Sequence, residues 1–189
     1  MSYIRTVEPS EATGEVAELY AEDLEDLGYV ADYTRVMSMN PEAFRAFEDL
    51  MRTIAPNLGK RRYELVTLAA AQALHSTHCR LAHGHKCLTF MDADELERIA
   101  RDYHDAGLSE AEVAMMEYAE KISTEAHTIT ESDTVRLRDL GITDREIVDI
   151  TLAAAARNYF SRAIQALGAA VDVPADVSDR LRGALLAPL

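Results

Sequence analysis

Residues Lys60 to Cys87 read KRRYELVTLAAAQALHSTHCRLAHGHKC. From Lys60 the run is Ala-rich, and Leu65, Leu68, Ala69 and Ala73 leave it apolar on most faces. A helix of that kind lies inside a protein rather than on its surface. Ser76 then opens a second helix that runs toward Phe90. Alternating apolar and polar runs bounded by turn residues, the mark of strands, are hard to find anywhere in the chain. The fold class expected is all-α.

The same reading extends outward in both directions. Upstream, Val16, Leu19, Tyr20 and Leu24 recur at three- and four-residue spacing, one face of a helix over about 10–27 that Gly28 stops. Asn40-Pro41 supplies an N-cap and a first-turn proline for a helix to about Arg52 that buries Phe44, Phe47, Leu50 and Met51. Pro56-Asn57-Leu58-Gly59 reads as a turn. Downstream, Asp92 with Glu95 three residues on caps a helix over 93–105, which Gly107 ends. Ser109 caps a helix over about 110–126, and Thr130 or Ser132 starts a short one ending at Gly141. Thr143 with Glu146 opens a long helix over 144–167, nearly all apolar across 150–156, and Pro174 starts a last amphipathic helix. That makes about eight or nine helices with short connections and no linker. The expectation is one domain over 1–189: N-terminal helices about 10–55, a core about 60–170 and a C-terminal helix about 174–187. Glu64-Leu-Val-Thr-Leu-Ala-Ala-Ala is echoed at Glu146-Ile-Val-Asp-Ile-Thr-Leu-Ala-Ala-Ala, as a helix duplication or two buried Ala-rich helices would be.

Composition narrows the function classes. Lys and Arg number 19 against 33 Asp and Glu, a net charge of −14 over 189 residues. A surface that acidic repels phosphate, so neither nucleic acid nor an anionic membrane is an expected partner. Two cysteines, Cys79 and Cys87, are too few for a disulfide framework and point to a reducing cytoplasm. Met1 to Ala17 lacks the basic-then-apolar pattern of a secretory leader, and no run is apolar enough to span a bilayer.

The chemistry gathers in residues 75–87, which hold both cysteines and four of the six histidines. Cys79 falls at the third position of the helix opened by Ser76, where free amide groups and the positive dipole end favour a thiolate. His83 lies one turn along the same face and can take the thiol proton or pair with the thiolate. Glu64, on the preceding helix, can orient His83, and His78 is a second proton carrier. Each residue also has a plain structural reading: Cys79 as a small core side chain, His83 as a surface or cap residue, Glu64 as a complement to its helix dipole, Ser76 as an N-cap. His75, Cys79, His83 and Cys87 form a stripe at four-residue spacing, but structural zinc sites draw paired ligands from two segments, so no metal and no cofactor are expected. Arg157, Asn158 and Arg162, in an otherwise apolar helix, read as interior hydrogen bonding or ion pairing between helices or subunits.

Glu64, eleven further residues, Ser76-Thr-His-Cys79, three more and His83 together resemble a known signature. It is Glu-x(11)-Cys-x-x-Cys-x-x-x-His, of the alkylhydroperoxidase D-like branch of the carboxymuconolactone decarboxylase family. Further blocks resemble its peroxidase-related subgroup: Glu15-Val-Ala-Glu-Leu-Tyr, Leu27-Gly-Tyr-Val, Asn40-Pro-Glu, Ala106-Gly-Leu-Ser-Glu, Tyr118-Ala-Glu-Lys-Ile, Leu140-Gly-Ile-Thr-Asp-Arg-Glu-Ile and Arg157-Asn-Tyr-Phe-Ser-Arg162. The likeness covers roughly residues 5–170. It implies an all-α fold around a helical hairpin, assembled as trimers or hexamers. It also implies reduction of organic hydroperoxides, a peroxiredoxin-type activity, with Glu and His as a proton relay. Glu64, His78, Cys79 and His83 take those places.

Ser76 departs from the family by standing where it has its first Cys. Cys79 can still become a sulfenic acid. A hydroxyl at position 76 cannot resolve it as a disulfide, and Cys87, eight residues along one helix, is about 12 Å away by helix rise. Turnover then calls for an external thiol, a partner-subunit Cys or a break in the helix. Two other functions stand beside the one-Cys peroxidase: non-redox acid–base work on a small organic acid by Glu64, His78 and His83, as in the decarboxylase branch, and a non-catalytic oligomer.

Overall fold

The computed structural model describes residues 2–174 and 177–187. An N-terminal part comprises α1 (Gly14–Asp26), α2 (Asp32–Met37) and α3 (Pro41–Leu58). The decisive stretch forms α4 (Lys60–Ala73) and α5 (Thr77–Cys87). Five more follow: α6 (Ala93–Arg101), α7 (Glu110–Glu125), α8 (Glu131–Asp139), α9 (Asp144–Ala166) and α10 (Asp179–Leu186). Among the described residues there are ten α-helices, three short 3-10 turns and no strand. No described helix is long and apolar enough to cross a membrane.

The caps read from the sequence do much of the delimiting. Asn40 Oδ1 accepts from Ala43 N at 3.1 Å and Asp92 Oδ1 from Glu95 N at 2.7 Å. Ser109 with Glu112 and Thr143 with Glu146 close reciprocal capping boxes.

Four boundaries differ from expectation. The tenth helix is α2, whose six residues bury Thr34, Val36 and Met37 but are too few for helical periodicity to register. α3 continues through Pro56 to Leu58, because Ile54 and Leu58 are buried and hold its last turns. The reversal comes at Gly59, whose φ of 72° favours glycine. Leu50, expected in the core, is 44% exposed on the outer face of α3. The 93–105 segment divides after Arg101: Asp102 is extended and its Oδ1 accepts from His104 N at 3.0 Å, starting a 3-10 turn. The last helix begins at Asp179 rather than Pro174, capped by Ser178 Oγ, which accepts from Leu181 N. Residues 175 and 176, within the helix expected there, lie outside the described residues.

α4 is the axis. Its residues Tyr63 to Ala71 are buried without interruption, and it packs on α3, α5, α7 and α9. Its alanines let those backbones approach closely on every side. α5 stands between two apolar cores. The larger, fed by α4, α6, α7, α9 and α10, takes Leu81 and Cys87. The smaller comprises Leu19, Met37, Phe44, Ala71, Cys79, Phe160 and Ile164. On the larger-core side Arg80 ties down the C-terminal helix, donating from Nη1 to Ala187 O at 2.7 Å and from Nη2 to Ala184 O at 3.0 Å.

Candidate active site

The turn between α4 and α5 aims Cys79. His75 adopts φ 51°, a left-handed conformation that histidine enters more readily than bulky residues. Ser76 N donates to Ala71 O at 2.9 Å and His75 N to Gln72 O at 3.0 Å, the double bond of a Schellman-type helix end. Gln165 Nε2 of α9 donates to the carbonyls of both Leu74 and His75 at 3.1 Å, fixing the turn from across the site. Thr77, His78 and Cys79 are therefore the first three residues of α5. Ser76 occupies the N-cap position, but its side chain makes no cap bond, a correction to its reading as a cap. Its ψ of 85° falls short of the extended geometry that N-caps use. The hydroxyl is fully buried and unpartnered.

Cys79 is 1% exposed, and its sulfur accepts two hydrogen bonds from α9: from Ser161 Oγ at 3.2 Å and Arg157 Nη1 at 3.6 Å. Arg157 and Ser161 are four residues apart and so share one helix face. Arg157 is itself buried and forms no ion pair with a carboxylate among the described residues; its guanidinium lies 5.4 Å from the Phe160 ring centre, and its Nε is unpartnered. The guanidinium thus lies within hydrogen-bond reach of the sulfur inside the protein.

One turn of α5 beyond Cys79, His83 has its Nδ1 2.6 Å from Glu64 Oε2, and both residues are buried. Burial above all, then the Arg157 charge, pushes His83 well below the usual imidazole range. Burial works to raise the Glu64 carboxyl, but the hydrogen bond from His83 and the charges of Lys86 and Arg157 hold it below its ordinary value. The pair at neutral pH is a carboxylate and a neutral imidazole. Glu64 then accepts from Nδ1–H, which leaves Nε2 free to accept a proton. His78 is also kept neutral by burial, against the opposing Asp172 charge; its Nδ1 is unpartnered and its ring meets Tyr33 edge-on at 5.0 Å.

A cavity of about 510 Å³ opens onto Cys79, His78 and His83. Its walls hold three of the chain's four phenylalanines, Phe44, Phe47 and Phe160, with Tyr29, Tyr33 and Tyr63, alongside charged side chains that include Glu48, Lys86 and Asp172. Burial pushes the Tyr33 phenol up to about 12, so it stays protonated.

The structure thus brings Cys79, His78 and His83 to one pocket, with Glu64 bonded to His83 from outside the lining. Ser76 sits at the turn, off the pocket wall. Cys87 and Cys79 face different cores, so the four-residue stripe His75, Cys79, His83, Cys87 does not converge. No group of three or more His, Cys, Asp or Glu side chains among the described residues is arranged to hold a metal ion. Arg157 is interior as read, but its partner is the Cys79 sulfur. Asn158 donates to Ser123 Oγ and Ala154 O, whereas Arg162 is exposed, contrary to the interior reading. Ser161 and the aromatic walls carried no signal of their own; the i,i+4 pairing of Arg157 and Ser161 in an Ala-rich helix was the available clue.

Neither a family model nor a curated protein matches the chain. Solved structures do. An uncharacterized peroxidase-related protein of Ralstonia eutropha JMP134, an alkylhydroperoxidase AhpD core, is 21% identical over 100% of this chain and 98% of its own, with a TM-score of 0.82. The chain has the alkylhydroperoxidase D-like fold. An uncharacterized peroxidase-related protein of Silicibacter sp. TM1040 matches at 22% identity over 90% of each chain, TM-score 0.79. The debrominase Bmp8, as a cysteine-to-alanine variant in complex with 2,3,4-tribromopyrrole, matches at 16% identity over 98% of each chain, TM-score 0.74.

Proposed function

We propose that the chain is a thiol peroxidase that reduces small organic hydroperoxides with Cys79 as its single attacking sulfur. One observation carries this reading: a buried thiol at a helix N-terminus, hydrogen-bonded by Arg157 and Ser161 and opening onto a pocket beside a carboxylate-oriented neutral imidazole. Arg157 supplies the positive charge that His83, held neutral, does not. In the reaction the thiol proton passes to His83 Nε2. The Cys79 thiolate attacks the terminal peroxide oxygen, an S–O bond forms and the O–O bond breaks. The alkoxide leaves with the proton from His83, so Cys79–SH and ROOH give Cys79–SOH and ROH. Glu64 positions His83, and His78 is a second group able to relay the proton.

The aromatic walls support an aryl-bearing hydroperoxide, since stacked and edge-to-face rings gain about 0.5–1.5 kcal/mol beyond area burial. The flat ring named with the debrominase points the same way. The cytoplasm, with its thiol pool, is the compartment this chemistry needs, and the exposed stripe Val148, Leu152 and Tyr159 on α9 is the proposed contact between identical subunits.

The test is intact mass of reduced protein after one equivalent of cumene or tert-butyl hydroperoxide, with a sulfenic-acid trap and a Cys79→Ser control. An adduct confined to Cys79, formed faster with cumene hydroperoxide, is expected. Peroxide consumed equally well by the Cys79→Ser protein overturns the assignment.

A further inference from the structure

Resting on that reading, the cycle needs a reductant for the Cys79 sulfenic acid, and the surroundings of the sulfur restrict what can serve. No thiol of this chain reaches it. Ser76 offers only a hydroxyl. Cys87 closes the same unbroken helix α5 and is fully buried in the larger core, where burial first and then the Glu64 charge push its thiol far up. Eight residues of helix rise separate the two sulfurs' backbones by about 12 Å, beyond the roughly 7 Å that a disulfide spans between Cα atoms.

The same distance rule constrains a partner protein. A cysteine of another chain would have to bring its own Cα within about 7 Å of that of Cys79. Cys79 is 1% exposed and packed among Phe44, Ala71 and Phe160, so a second backbone could come that close only by displacing α3 or α9. The cavity is the remaining approach. At about 510 Å³ it falls within the ~300–1,000 Å³ that hold small ligands, and Cys79 is part of its lining.

We infer that Cys79 sulfenic acid is reduced by two molecules of a low-molecular-weight thiol entering through this pocket, and that protein thiols of the thioredoxin kind are shut out. In the first step the small thiolate attacks the Cys79 sulfur, an S–S bond forms, the S–O bond breaks, and hydroxide leaves as water with the thiol proton. The mixed disulfide occupies the pocket. In the second step another thiolate attacks the outer sulfur, because the bound thiol now fills the approach to the inner one. The S–S bond breaks, the small disulfide departs and Cys79 regains a proton. Arg157 Nη1, 3.6 Å from the departing sulfur, stabilises the thiolate as it leaves, and that directs attack to the outer atom. The sum is two thiols and one sulfenic acid giving one small disulfide, one water and the Cys79 thiol.

The experiment compares reductants of increasing bulk on the full chain. Protein oxidised with one equivalent of cumene hydroperoxide is treated with 2-mercaptoethanol, glutathione, or thioredoxin with its reductase, and intact mass is followed in time. A glutathione adduct on Cys79 that appears and decays is expected, with thioredoxin slower by at least about 100-fold at equal thiol concentration. In a Cys87→Ala background, Cys79 is also loaded with a thiopyridyl group from 2,2′-dithiodipyridine, and loss of that group, followed by intact mass, gives the same size test without peroxide. Phe47→Ala, which widens the pocket, should speed release by glutathione more than release by 2-mercaptoethanol. Thioredoxin acting as fast as glutathione on the loaded protein overturns the inference, whether or not peroxide reacts. A size rule that holds on the loaded protein, with no sulfenic acid ever trapped, upholds the gate and removes the peroxidase reading instead.

Discussion

The two faces of α5 carry one cysteine each, both almost entirely buried, yet they are different chemical environments. Cys79 has a guanidinium and a hydroxyl on its sulfur, an oriented imidazole–carboxylate pair close by and a cavity in front. Cys87 sits among Leu, Ile, Met and Ala side chains of the larger core. Burial alone therefore does not make a thiol inert. What separates the two is whether polar groups were buried along with it, and whether a path to it was left open.

The largest effect expected from breaking that contrast is on Cys79 itself. Cys79→Ser should lower peroxide consumption by about 1,000-fold or more, while Cys87→Ala leaves it within about twofold and costs about 1–2 kcal/mol of stability. Stopped-flow peroxide assays and urea melts on the pair check both halves. Next comes the guanidinium: Arg157→Gln should slow sulfenic acid formation about 100-fold, and Arg157→Lys should recover only part of it, because the planar fork is lost. A trap-based rate measurement reads both.

On the opposite face, Arg80 holds carbonyls of α10 and is buried. Arg80→Gln should cost about 2–4 kcal/mol in a urea melt while leaving the rate per folded molecule nearly unchanged. A large drop in that rate would show that the faces are not independent.

The smallest effect concerns pH. His83 is held below its unfolded value, so between that value and its folded one the unfolded chain binds the extra proton. Its contribution is fully present at neutral pH and is lost as pH falls below about 6.5. Glu64, also held low, adds a second loss as pH falls through the carboxylate range. Stability measured at pH 7 and 5 should therefore fall by about 1–2 kcal/mol, and His83→Gln should flatten the difference.

Much of this architecture was legible because helix boundaries are local. Asn40, Asp92, Ser109 and Thr143 announce their helices by side chains that bond the next turn. α2 was not legible: six residues carry less than two turns of periodicity. Pro56 misled because buried Ile54 and Leu58 outweigh a proline's penalty in a last turn. At the site, Glu64, His78, Cys79 and His83 lie on consecutive helices, so spacing alone relates them. Arg157 and Ser161 are 78 and 82 residues from the cysteine they bond, and nothing local says which face of α9 meets α5. The convergence of three phenylalanines on one cavity is likewise a product of packing.

Those long separations bear on the order in which the protein is made. α4 and α5 can form as soon as they are synthesised, but the two hydrogen bonds to the Cys79 sulfur come from α9, and Gln165 fixes the turn before it from the same helix. Until roughly the last quarter of the chain has been added, the thiol has neither its guanidinium nor its shelter. Newborn chains thus pass through a period in which Cys79 is an open thiol, competent to react with passing disulfides before the pocket has closed around it.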